Sequence, residues 1–336
     1  MQYKQLGKTG YKVSTMGIGG IPIQRVGEQV AKEVIAVAVE MGVNFLDTAR
    51  GYTDSEEKFG QALQGVRDRF VLASKTPSRD AAGARRDLET SLRMLKIDSI
   101  DLYQLHNVSK EAELEQVLGP GGALEALLKA QQEGLVKHIG VTSHNDKILL
   151  KAVETGLFAT VQAPVNAVER QFIPVFQAAK ERGMGTIAMK PLAGGSFKHP
   201  QLAIRQLLAE PLLDVVIPGV DSAEQMRTNA ELAANWRPLD EAEKPLLEQE
   251  VAELGKGFCR RCEYCLPCPQ GIRIPQVFIF EGYATRYNLA DWAVDRYATM
   301  EVDASACAEC GVCESRCPYN LPIRQMLKRA HKNLKH

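Results

Sequence analysis

The stretch RFVLASK, residues 69–75, runs through aliphatic and small residues without polar alternation and closes on a lysine. A strand wetted on one face alternates polar and apolar residues, so a short unbroken apolar run marks a strand buried on both faces. The same pattern recurs along the chain. TMGIGG (15–20) and NFLDTA (44–49) precede it, and DLYQLHN (101–107), HIGVTS (138–143), ATVQAP (159–164), TIAMKPL (186–192) and VVIPGV (215–220) follow. Helical patterns separate these eight runs. Val30, Val34, Val37 and Met41 share a face, as do Leu88, Leu92 and Leu95, and then Leu124, Leu127 and Leu128. Gly42 and Gly134 stand where helices end. Eight strand–helix alternations over about 230 residues predict an α/β chain folded as a (β/α)8 barrel. An open doubly wound sheet would need a G-x-G-x-x-G loop after its first strand, and GIGGIP lacks that spacing.

With 336 residues, 45% of them hydrophobic, the chain has material for a full-sized core and a second module. Lysine plus arginine and aspartate plus glutamate both number 41, so overall charge argues for neither nucleic acid nor a membrane surface as partner. No run of about 18 apolar residues suggests a membrane span, and the start, MQYKQLGKTG, lacks a secretory layout. A cytoplasmic location is expected. The basic ending KRAHKNLKH (328–336) reads as a solvated last helical turn.

All eight cysteines lie between Cys259 and Cys317. That segregation predicts two domains, 1–256 for the barrel and 257–336 for a small, mostly helical cysteine module. Residues 240–256 read as a helix leading out of the barrel. The 38 residues 269–306 carry aromatic and aliphatic side chains at helical spacing, suited to packing around whatever the cysteines hold.

Chemistry in such barrels sits at the carboxyl ends of the strands. Asp47 closes one run, Lys75 the next and His106 the third, with Tyr52 in the loop after Asp47. Each alone has an ordinary reading: a loop cap, a solvated strand end, a core histidine, a rim aromatic. Together they suit carbonyl reduction, in which charge develops on oxygen and a proton donor must already be in place. A phenol with a pKa of about 10 is a reluctant acid, and a neighbouring ammonium favours its ionised form. Tyr52 would thus be the acid, Lys75 its tuner, Asp47 the group that keeps Lys75 charged, and His106 the residue that orients the substrate oxygen.

FLDTARGY, VLASKT, YQLHN, GVTSHN, VQAPVN, MKPLAGG and IPGVDSAEQMRTN, in that order, resemble the aldo-keto reductases. The resemblance implies a (β/α)8 barrel that reduces an aldehyde or ketone to an alcohol with NADP(H) or NAD(H), its Asp-Tyr-Lys-His tetrad falling on Asp47, Tyr52, Lys75 and His106. It also implies a cofactor site at Gly20, Ile21 and Asp47, with Ser143, His144 and Gln162 at the nicotinamide amide. Met189, Lys190, Pro191 and Leu192 would line the nicotinamide and pyrophosphate, and Gly219, Asp221, Gln225 and Asn229 the adenosine end. The chain departs from many relatives at Met189, where an aromatic ring is common, and at Gly219 and Gln225, where basic residues often meet a 2′-phosphate. Asp221 suits a ribose hydroxyl; Arg227 and Lys190 favour a phosphate.

CAECGVCESRCP, residues 307–318, has the bacterial ferredoxin spacing of [4Fe-4S] ligands. Cys259, Cys262, Cys265, Cys268 and Pro269 nearly repeat it, with two residues instead of three before the last cysteine. In two-cluster ferredoxins the fourth cysteine of each run serves the other cluster. That rule groups Cys259, Cys262, Cys265 and Cys317 for one cluster and Cys307, Cys310, Cys313 and Cys268 for the other. Structural zinc favours two C-x2-C pairs split by a longer loop, and disulfides are unusual in cytosol. The module resembles the ferredoxin-like tail of a subgroup of microbial aldo-keto reductases.

Hydride transfer moves two electrons together and each cluster moves one, so direct coupling would need a splitter such as a flavin. No flavin signature is present. The sequence is thus compatible with a carbonyl reductase bearing structural or sensing clusters, or with a reductase exchanging electrons with a ferredoxin-type partner. A non-catalytic redox-sensing subunit is a third reading, which the intact tetrad disfavours.

Overall fold

The computed structural model describes residues 1–286 and 289–335. Tyr287 and Asn288 of the predicted helical stretch, and His336 of the basic ending, lie outside the described residues. Two compact units are present: Met1–Pro191 with Gln201–Leu239, and Leu192–Pro200 with Asp240–His336.

The first unit opens with a hairpin that sequence reasoning did not anticipate, β1 (Tyr3–Gln5) antiparallel to β2 (Lys12–Ser14). The eight expected strands follow. They are β3 (Ile18–Gly19), β4 (Phe45–Asp47), β5 (Val71–Thr76), β6 (Ile100–Leu105), β7 (Val136–Thr142), β8 (Thr160–Pro164), β9 (Gly185–Met189) and β10 (Val215–Ile217). Each pairs in parallel with the next, in chain order. Parallel bridges from Met16 to Val216 and from Gly19 to Gly219 join the two ends, so the sheet is a closed barrel and not the open alternative. All six residues of β5 are buried, as an unbroken apolar run requires.

The helices turn apolar stripes to the strands. In the helix Ala81–Leu95, Asp80 accepts a hydrogen bond from the Gly83 N–H and Lys96 takes a left-handed conformation at the far end, while Ala84, Leu88 and Leu95 are buried. In the helix Ala123–Gln132 the stripe is Ala123, Leu124, Leu127 and Ala130. Leu128, expected on that face, falls past its edge and is 42% exposed. Leu6 and Val13, from the hairpin, pack with Phe45, Val71 and Val215 at the starts of strands. The hairpin therefore plugs the amino end of the barrel and leaves the carboxyl end as the mouth.

The second unit is helical, with helices Glu243–Gly255, Ile274–Arg286, Ala290–Ala298, Val312–Ser315 and Ile323–Leu334. The last buries Ile323, Met326, Leu327, Ala330 and Leu334 at helical spacing. They share a small core with Val277, Phe278 and the thiols of Cys265 and Cys313. Among the described residues no helix is long and apolar enough to cross a membrane.

Candidate active site

Asp47 is the last residue of β4, Lys75 lies one residue from the end of β5, and His106 follows β6 directly. Tyr52 sits in the loop between β4 and the helix Ser55–Ala62, where the next residue, Thr53, has φ +40°. The Lys75 ammonium is fully buried, which is tolerable only because it is paired and hydrogen-bonded. Its Nζ donates to Asp47 Oδ2 at 2.6 Å and to the Thr48 carbonyl at 2.7 Å. The same Nζ is 5.0 Å from the centre of the Tyr52 ring, and the Tyr52 and His106 rings meet edge to face at 5.7 Å. Acid, amine, phenol and imidazole therefore converge at the barrel mouth.

Burial alone would lower the Lys75 amine, but the Asp47 carboxylate and the Tyr52 phenol outweigh it and hold the amine above its ordinary value. The Asp47 carboxyl is pushed up by burial, against the opposing pull of Lys75, Gln162 and Gln104. His106 is pushed down to about 3, first by burial and then by the cations of Lys75, Arg79 and Lys190. At neutral pH the imidazole is uncharged.

Gln162 reaches this group. Its Nε2 lies 3.4 Å from Asp47 Oδ2 and 3.8 Å from Met189 Sδ. Ser143 is buried with its Oγ 3.0 Å from Ser109 Oγ, and the His144 N–H donates to the same Ser109 oxygen at 3.2 Å. Lys190 has φ +54°, and its carbonyl accepts from Asn166 Nδ2. Pro191 closes that part of the first unit, and Leu192 falls in the second. Gly20, just before the turn Ile21–Arg25, is required by packing, because a Cβ there would lie 2.6 Å from Phe59 and 2.7 Å from the Asp47 carbonyl. A Cβ on Gly219 would lie 2.8 Å from the Pro22 ring.

Around Gly219, Asp221 and Gln225 form one end of the helix Ala223–Ala234, with the Asp221 N–H donating to Gln225 Oε1. Asn229 is buried on that helix. Arg227 is occupied elsewhere, gripping Glu40 through two bonds of 2.8 and 2.7 Å. The cation beside Asp221 is instead Arg25, 3.9 Å away.

The cysteines divide between two small cavities. Cys259, Cys262, Cys265 and Cys317 line one, beside Phe278 and Leu321. Cys268, Cys307, Cys310 and Cys313 line the other, beside Gly311 and Leu327. No disulfide joins them. Burial, then the neighbouring Cys259 and Cys262, push the Cys265 thiol up to about 12, and burial raises Cys313 as well. Four like acids gathered in an apolar pocket resist ionisation unless cations sit among them, so each set fits a metal cluster by its chemistry. Among the described residues no group of three or more His, Cys, Asp or Glu side chains is placed to hold a single metal ion.

The aldo/keto reductase family profile matches residues 15–201, more than half of the chain. This chain belongs to the aldo-keto reductase family. A 4Fe-4S dicluster profile matches residues 258–322 of the same chain. This aldo-keto reductase is 31% identical over 227 residues to an uncharacterized oxidoreductase, YrpG, of Bacillus subtilis, covering 58% of this chain and 68% of the relative. It is 25% identical over 302 residues to the L-galactose dehydrogenase of Arabidopsis thaliana, covering 75% and 94% of the two chains. A solved putative aldo-keto reductase from Pseudomonas aeruginosa superposes with a TM-score of 0.63 at 26% identity, over 69% of this chain and 94% of that one. One from Bacillus halodurans, at 23% identity, shares the fold with a TM-score of 0.64, over 76% and 96% of the two chains.

Three residues of this reductase escaped sequence reasoning. Gln104 Nε2 donates to Asp47 Oδ1 at 3.2 Å and to Gln162 Oε1 at 2.9 Å, tying the carboxylate to the amide; a glutamine inside DLYQLH was the available signal. Glu56, 1% exposed, accepts from Ser74 Oγ at 2.5 Å and pairs with Arg50, whose guanidinium also reaches the Thr53 carbonyl. It thereby ties the Tyr52 loop to the strand that carries Lys75. Arg25, the third, belongs to the Gly219–Asp221 group and gave no signal beyond its nearness to Ile21.

Proposed function

We propose that the chain is an NAD(P)H-dependent carbonyl reductase that converts an aldehyde or ketone to an alcohol. The observation that carries this reading is the convergence of Asp47, Lys75, Tyr52 and His106, with the amine 2.6 Å from its carboxylate. A bound nicotinamide would supply a hydride to the carbonyl carbon. Tyr52 would give its proton to the carbonyl oxygen, and the Lys75 cation would stabilise the phenolate left behind. Asp47, fixed by Gln104 and Gln162, keeps Lys75 charged and in place. His106, uncharged, hydrogen-bonds the same oxygen and sets its approach. Ser143, Gln162 and Met189 would hold the nicotinamide. Gly20, Ile21, Lys190 and the Gly219–Asn229 segment would hold the rest of the cofactor, with Asp221 suited to a ribose hydroxyl and Arg25 to a 2′-phosphate.

In the tail, Cys259, Cys262, Cys265 and Cys317 would hold one [4Fe-4S] cluster, and Cys268, Cys307, Cys310 and Cys313 a second. Clusters of this type supply one-electron transfer. The presence of two four-thiol cavities in one small core favours a second reading, in which the tail exchanges electrons with a ferredoxin-type partner; that reading requires a flavin or another splitter. Anaerobic purification with a visible spectrum and metal analysis separates the two: bound flavin supports the second reading, and a colourless, iron-free protein removes it.

The first reading is tested by Tyr52→Phe, assayed for NADPH and NADH oxidation against small aldehydes and, given one relative's name, an aldose. Loss of the proton donor should lower kcat by about 10²- to 10⁴-fold. Turnover within twofold of the wild type would remove Tyr52 from its role.

A further inference from the structure

Tyr52 sits in a loop with little packing of its own. Gly51, Thr53 and Asp54 are exposed, and the φ of +40° at Thr53 is a conformation that side-chain-bearing residues hold where their surroundings impose it. Arg50 brackets the tyrosine. On one side its backbone N–H donates to the Lys75 carbonyl at 3.0 Å, and on the other its guanidinium Nη2 donates to the Thr53 carbonyl at 3.2 Å. Around Tyr52 the backbone makes local turns: the Tyr52 N–H donates to the Ala49 carbonyl at 3.0 Å, and the Ser55 N–H to the Tyr52 carbonyl at 2.8 Å.

A buried carboxylate holds that guanidinium. Glu56 is the second residue of the helix Ser55–Ala62, where the helix end favours a negative charge. Its Oε2 pairs with Arg50 Nη1, and its Oε1 accepts from Ser74 Oγ at 2.5 Å. Ser74 is buried in β5, directly before Lys75. The circuit therefore closes on the strand that carries the amine: Lys75 to the Arg50 backbone, the Arg50 guanidinium to Glu56, and Glu56 to Ser74. Arg50 and Ser74 both donate, so a carboxylate satisfies both, whereas an amide would turn a donor toward one of them. Every residue of the circuit belongs to the first unit.

We infer that Glu56 is a positioning residue for the proton donor: through Arg50 and Ser74 it holds the Tyr52 loop against β5, and so sets how closely the phenol approaches the Lys75 amine. The inference rests on the proposed reading in which Tyr52 is the acid. The phenol ring faces Lys75 of β5, 5.0 Å from its centre, and His106 after β6, 5.7 Å away. Asp47 of β4 acts on it through Lys75, and Arg79 and Lys190 act on the His106 imidazole. Along its own loop and helix it is flanked by Arg50, by Asp54, which is paired with Lys58 at 2.9 Å, and by Glu56. Asp47 and Tyr52 hold the Lys75 amine above its ordinary value, so it stays charged while the phenol titrates.

The test is the ionisation of Tyr52, followed by ultraviolet phenolate absorbance as the difference between the full-length protein and its Tyr52→Phe variant at each pH. In the wild type this difference should develop below the ordinary phenol value of about 10. Glu56→Gln, compared with Glu56→Gln/Tyr52→Phe, should move it up by about one pH unit, because a loosened loop separates the phenol from the amine. The sign is diagnostic. Removing the carboxylate without moving the loop would strip a negative charge and leave Arg50 unmatched, and both changes favour the phenolate and move the titration down. Ser74→Ala keeps the Glu56–Arg50 pair and every charge, and should shift the titration up by about half a unit; it decides the matter if Glu56→Gln does not fold. A titration that stays in place or moves down in the folded variants overturns the inference, and a lowered melting temperature without an upward shift marks Glu56 as a stabilising residue only. Either result leaves the proposed function standing. A wild-type difference that develops at or above about 10 removes Tyr52 from its role, and the inference falls with it.

Discussion

The barrel mouth and the cysteine cavities both bury ionisable groups, and they do so in opposite ways. At the mouth, an amine and a carboxylate of opposite charge meet at 2.6 Å, and Gln104, Gln162 and the Thr48 carbonyl complete their hydrogen bonds. The charges of Lys75 and Asp47 are met by the chain itself. In the cavities like meets like: burial raises the Cys265 thiol to about 12, and its neighbours Cys259 and Cys262 add to the effect. The first arrangement is preorganised before any ligand binds. The second would gain its stability from the clusters proposed for it, and folding and metal loading would then become one equilibrium.

Loss of the proposed clusters should have the largest effect. Chelating the iron from the full-length protein, or replacing Cys265 with serine, should abolish the visible absorbance and melt the small core around Phe278 and Leu327. Structural metal sites contribute on the order of 10 kcal/mol to small domains, more than a core of this size supplies. The barrel should keep its own cooperative transition, because its core of Leu46, Leu72, Tyr103 and Phe176 contains no cysteine. Calorimetry and circular dichroism check this. A single transition at an unchanged temperature after iron loss would show the two regions to be alike.

The next effect tests the barrel's side of the contrast. Lys75→Met would leave Asp47 buried without its counter-charge, a loss of about 3–5 kcal/mol, and would strip Tyr52 of its amine. Asp47→Asn/Lys75→Met, which removes both charges, should recover much of that stability and none of the activity. Urea unfolding and kcat, measured on the same three proteins, separate charge compensation from catalysis. If the double variant is no more stable than the single one, the pair is not self-compensating.

These contrasts were unequally legible in the sequence. The eight barrel strands stood out because each is an apolar run buried on both faces, and Asp47, Lys75 and His106 because each interrupts such a run at its end. The hairpin was hidden: β1 has three residues, two of them exposed, so neither periodicity nor hydrophobicity marks it. Glu56 and Glu250 were hidden for a different reason. A buried carboxylate on a helix looks like any solvated helical glutamate until its partners are known, and those partners, Ser74 and the Lys198 and His199 backbone, are set by tertiary contact. Cysteine spacing predicts the grouping that the two cavities show, because three thiols at successive x2 steps stay close along the chain and the fourth follows the crossed pattern of two-cluster ferredoxins.

The smallest effect concerns His106 at the mouth. Burial first, and then the cations of Lys75, Arg79 and Lys190, hold the His106 imidazole down to about 3. An unfolded histidine titrates near 6.5. Between those two values the unfolded chain binds a proton that the folded chain does not, so folding stability falls as pH drops from about 6.5 toward 3. His106→Gln keeps a hydrogen-bonding side chain and removes the titration. Its stability–pH curve should therefore be flatter over that window than the wild type's and should coincide with it in shape above pH 7. Urea midpoints at half-unit pH steps would show this. Parallel curves across the window would mean that the imidazole accepts its proton in the folded state, and the mouth would then tolerate a second cation beside Lys75.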